Sequence, residues 1–219
     1  QLAQTPVTIN NVDLVVASYT RIYEVYLQAN STSPDAGAMY ARAVTLRSWI
    51  DETRKRTYGP VLNEGALAEV ARMYLDYAKA MYAYLETTYG RTPGDYATAV
   101  QLAEDLYGKG LYLASIANSI EIIAKSASAL MASAPDKYLE VARNRALINM
   151  GRAAQCGYTN TLPLSYLQFG DYFSGQQTGK QQALTYYIMA STYTTAMGDA
   201  ACTAEGGVVY QKPSLSPET

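Results

Sequence analysis

The chain has 219 residues and a formal charge of −2, with 49% apolar but only 16% charged residues. It carries 21 tyrosines against two phenylalanines, one tryptophan and no histidine. Hydrolases that rest on a histidine base and di-iron bundles of the Glu-x-x-His type are excluded, and the charge gives no electrostatic case for nucleic acid or an anionic membrane.

The elements read as helices punctuated by Pro and Gly. A first helix is predicted from about Asn11 to Ala29, with Tyr19, Tyr23 and Tyr26 on one face beside Val12, Val15 and Val16. Asn30-Ser31-Thr32 follows as a sequon, so Asn30 is a glycan acceptor if the protein is exported. Ser33-Pro34-Asp35 reads as a capping serine, a proline in the first turn and an acidic start. The second helix then carries Met39, Ala43, Leu46 and Ile50 until Tyr58-Gly59-Pro60 stops it. Asn63 caps a third helix that runs to Tyr89 and ends at Gly90.

Thr92-Pro93-Gly94-Asp95 starts a fourth helix ending at Gly108 to Gly110. The fifth, Leu111 to about Ser133, is rich in Ala, Ile and Ser, with Glu121 and Lys125 one turn apart. Ala134-Pro135-Asp136 opens a sixth that ends near Gly157, and Leu162-Pro163 a seventh that ends near Gly175. The eighth runs from Lys180 to about Met197. The fold class is therefore all-α: about eight antiparallel helices in one domain, residues 1–202, followed by an irregular tail, 203–219. Two short β-branched segments stand at the ends, Pro6 to Ile9 and Gly207 to Tyr210; they pair with each other, add to a neighbouring molecule, or stay loosely ordered as chain ends commonly do.

In the seventh and eighth helices, Tyr166, Phe169, Gly170 and Phe173 are followed by Ala183, Tyr187 and Ala190. This pattern resembles a tetratricopeptide repeat with one residue inserted in the turn. Ala99, Leu102, Ala103, Leu106, Gly110 and Tyr112 match more weakly, and Ser119 stands where a large aromatic is expected. The resemblance covers about a third of the chain. It implies a hairpin array with a concave face for a peptide or protein, and no catalytic residues; an ordinary multi-helix bundle is the alternative.

Two cysteines occur, Cys156 and Cys202, with no CxxC and no metal-ligand spacing. They read as one disulfide or as two small buried thiols. In an up-down arrangement the sixth and eighth helices run the same way, which brings both cysteines to the same edge. Arg143, Arg145 and Arg152 are the densest basic feature of the sixth helix. Arg145 and Arg152 share a face and, with Tyr166 and Tyr187, are the candidate partner-binding residues; pairing with Glu140 and nearby acids is the structural alternative for the arginines. No glycine-rich phosphate loop occurs, no cofactor is implied, and the adjacent acids Asp51-Glu52 and Glu104-Asp105 point in different directions on their helices. No apolar run approaches the ~18 residues needed to cross a bilayer.

A start at Gln1 fits removal of a signal peptide or a cloned fragment. With the low charge and abundant Tyr, Ser, Thr and Gln, the composition resembles that of exported archaeal surface proteins, including lattice and filament subunits. The expected function is a non-catalytic, extracellular or cell-surface scaffold that self-associates or binds other surface proteins, with a groove-binding module as the alternative.

Overall fold

The computed structural model describes residues 5–90 and 96–202. Among them, eight helices follow in chain order: α1 (Val12–Ala29), α2 (Ala36–Lys55), α3 (Glu64–Tyr89), α4 (Tyr96–Gly108), α5 (Tyr112–Leu130), α6 (Asp136–Gln155), α7 (Thr161–Ser174) and α8 (Lys180–Cys202). The fold is all-α, as the sequence predicts. Three ends differ from expectation: α2 stops at Lys55, before the Tyr58-Gly59-Pro60 stop, α5 stops at Leu130 rather than near Ser133, and α8 runs on to Cys202 rather than stopping near Met197. Gly198 does not end α8, because it serves packing instead. A Cβ there would come within 2.9 Å of the Ala153 Cβ on α6, so the missing side chain lets the two helices meet while α8 continues.

The caps correct one start and agree with another. Asp35, not Ser33, caps α2: its backbone is extended and its carboxylate accepts the Ala38 N–H at 2.9 Å. Asn63 caps α3 as expected, accepting from Ala66 at 3.0 Å, and Gly90 closes that helix in the left-handed region at φ 60°. The Pro6 to Ile9 segment finds its partner elsewhere than expected, in the connection between α2 and α3. It forms an isolated antiparallel bridge, Thr8 with Val61, with Ile9 N donating to Pro60 O and Leu62 N to Val7 O. Gly207 to Tyr210 and the rest of the expected tail lie outside the described residues.

α5 and α8 form the centre. α5 buries 13 of its 19 residues and leaves only a narrow strip around Glu121 and Lys125 towards solvent. It packs against α1, α3, α4 and α8, while α6 and α7 pack chiefly on α8. α1 also reaches α7. A linear stack of repeats places each hairpin against its neighbours only; contacts between elements this far apart in sequence make a multi-helix bundle. Within it, α7 and α8 keep the close local packing that the repeat-like residues suggested. Gly170 faces the Tyr187 ring, and a Cβ there would overlap it. Gly170→Ala is expected to cost about 1–3 kcal/mol, seen as a lower urea midpoint with an unchanged slope.

α2 lies at the periphery. Thr53 is its single buried residue, and it packs chiefly on α1. Glu24, paired with Arg21 within α1, joins the two helices through Arg42 at 3.2 Å. The Arg21 guanidinium also lies 5.2 Å from the centre of the Trp49 ring.

Candidate functional site

An open groove of about 630 Å³ runs along the bundle. Its floor is α5 and α8, through Ile123, Ala127, Leu184 and Ile188. One wall is α3, with Met73, Tyr74 and Tyr77; the other is α6, with Tyr138, Val141 and Arg145. The rim is exposed and apolar: Tyr77 is 51% and Val141 66% accessible. Met131 lines the groove too, and the polar end is built from Asn149, Ser191, Thr195 and Asp199. There Asn149 Nδ2 donates to Ser191 Oγ at 2.9 Å and to Thr195 Oγ1 at 3.0 Å. Burial first, and then the Asp199 charge, hold the Tyr74 hydroxyl above its ordinary range, so it stays protonated.

The sequence-predicted residues separate. Arg145 lines the groove. Arg152 is exposed on the same helix but does not line it. Tyr166 is half-buried, stacked between Tyr193 at 5.4 Å and Tyr186 at 6.1 Å between ring centres. Tyr186 also meets Phe169 and Phe173, so both phenylalanines of the chain join this cluster.

Tyr187 is corrected from a candidate partner contact to a core residue. It is 2% exposed, and its hydroxyl donates to Asp171 Oδ1 at 2.7 Å. The same carboxylate accepts two bonds from Arg143, Nε to Oδ1 at 2.7 Å and a terminal nitrogen to Oδ2 at 3.1 Å. Arg143 therefore ties α6 to α7. The Arg143 bond, opposed by burial and aided by Tyr187, holds the Asp171 carboxyl below the ordinary carboxylate range.

Sequence reasoning missed Asp13. It is 6% exposed in the first turn of α1, accepts the Tyr158 hydroxyl on Oδ1, and accepts the Leu162 N–H on Oδ2 at 2.9 Å. The residue before α7, Asn160, makes no side-chain cap bond, so Asp13 caps α7 from another helix. Burial pushes its carboxyl above the usual range, against the hydrogen bonds it accepts. The only signal in the sequence was an acid beside a run of valines.

Cys156 and Cys202 are joined in the structure with Cα atoms 5.0 Å apart, linking the end of α6 to the end of α8. Asn30 is exposed at the α1 C-terminus, its Nδ2 donating to Tyr26 O at 2.8 Å. Glu121 pairs with Lys125, as its spacing predicts, beside a small cavity lined by Tyr23 and Tyr96. Burial and the Glu121 charge push the Tyr96 hydroxyl up to about 12. Among the described residues, no helix is long and apolar enough to cross a membrane.

No protein-family model matches the chain, and neither a curated protein nor a solved structure does. The class is therefore set by the fold: an all-α helical bundle with one disulfide and an open, tyrosine-rimmed groove.

Proposed function

We propose that the protein is a non-catalytic scaffold of the cell surface or extracellular space that self-associates into a surface assembly. The observation that carries this reading is the surface placement of large apolar side chains. Tyr26, Tyr40, Tyr77, Tyr84, Tyr138 and Tyr172 are all exposed, and the groove rim gathers several apolar groups in one place. Rings with a wettable tip suit a surface that is solvated before assembly and covered after it. The disulfide supports an oxidising compartment.

A second reading, a module that takes a peptide or protein partner in a concave groove, is favoured by Arg145 in the groove wall. Fractionation of the source cells followed by electron microscopy tests the first reading. The protein is expected in the envelope or external fraction, in ordered particles. Recovery as a dispersed monomer with free thiols from the cell interior contradicts it.

A further inference from the structure

We infer that the groove between α3 and α6 is filled by a second copy of this chain, in a two-fold dimer where α3 of each protomer lies in the groove of the other. This rests on the self-association proposed above and names its interface.

The first support is the spacing of exposed residues on the two walls. On α3, Met73, Tyr77, Ala80 and Tyr84 are all exposed, and each step of three or four residues keeps them on one stripe. On α6, Tyr138, Val141, Arg145, Ile148 and Arg152 do the same. Alternating steps of three and four are the seam along which helices pack against one another. Both seams are open in the single chain; Met73 and Tyr77 of one, and Tyr138, Val141 and Arg145 of the other, line the groove floored by α5 and α8, and the rest of each seam continues beyond it.

The second support is charge. Arg145 lies on the α6 wall, and Asp76 lies on α3 between Met73 and Tyr77 in sequence. Both are exposed, and neither has an ion pair among the described residues. A ridge placed beside its own groove is self-complementary, which is the requirement of a two-fold interface. In that arrangement Arg145 of each protomer meets Asp76 of the other, so the pair forms twice.

The third support is area. Met73, Tyr77, Tyr84, Tyr138, Val141 and Ile148 are 42–66% exposed. Together they offer on the order of 600 Å² per copy, against about 800 Å² per partner in a standard stable interface. The polar neighbours on the same stripes supply the remainder.

Charge exchange tests this in the full oxidised chain by sedimentation velocity. Asp76→Lys and Arg145→Glu should each weaken the dimer about tenfold or more, by setting like charges together twice. The double variant should restore it. Both side chains are exposed and without an ion pair among the described residues, so each variant should keep the wild-type helix content. A dimer that forms equally well in both single variants overturns this interface while leaving self-association standing. Failure of the double variant to recover overturns the Arg145–Asp76 pairing and with it the two-fold geometry. A wild-type protein that is monomeric at every concentration overturns both the interface and the reading it rests on.

Discussion

Replacing Cys156 and Cys202 together by serine is expected to lower the unfolding free energy by about 4 kcal/mol in the chain-entropy account of a cross-link. The two residues are 46 apart in sequence, so the bridge removes a sizeable loop's freedom from the unfolded chain. The loop it closes contains all of α7 and α8, and α8 is one of the two central helices. Cys156 is buried against the main core, which leaves the serine hydroxyl without water and adds to the loss. Urea unfolding with and without reductant measures it. The wild type should shift with reductant and the double variant should not. Equal stability in all four conditions would show that the bridge contributes nothing to the fold.

Asp13→Ala is expected to destabilise the protein by about 2–4 kcal/mol, because two donors lose their acceptor in a buried site. They are the Tyr158 hydroxyl and the Leu162 N–H, which Asp13 ties to α1 from the α6–α7 connection and the first turn of α7. Tyr158→Phe should cost less, since it removes the donor together with its need for a partner. The pH dependence has a definite sign. The folded carboxyl is raised above its ordinary value of 3.8, so the native state binds the proton more tightly than the unfolded chain. The stabilisation from that proton is complete below about pH 3.8 and is lost as pH rises through the folded value. Lowering the pH from neutral towards 4 should therefore raise the stability of the wild type relative to Asp13→Asn, whose amide does not titrate. Asp171 acts the other way: its lowered carboxyl supports the fold above its ordinary pKa and loses that support only in stronger acid. Both proteins carry Asp171, so its effect cancels in the comparison. A wild type that loses ground to Asp13→Asn on acidification would contradict the raised carboxyl of Asp13.

The helices were legible because their signals are local. Asn63 and Gly90 sit within one turn of the groups they satisfy, and the long run of Ala, Ile and Ser in α5 matches its deep burial. The edge shared by Cys156 and Cys202 followed from helix parity. What remained hidden depends on contacts that sequence spacing does not encode. Asp13 meets residues 145 and 149 positions away. Tyr187 looked available for a partner because its spacing fits a helix face, yet that face meets Gly170 and Asp171. The groove was no more visible: Arg145 stood out as a basic residue, but Met73 and Tyr77, which face it, lie on a helix with no distinguishing motif. Small residues at Ala153 and Gly198 were visible as composition, and only the fold shows that they let α6 and α8 approach.

Light scattering of the purified, oxidised protein over a wide concentration range tests self-association most directly. A chain that assembles through its exposed rings should show a mass that climbs above the 23.8 kDa of one copy as concentration rises. A mass that stays at 23.8 kDa throughout would contradict it.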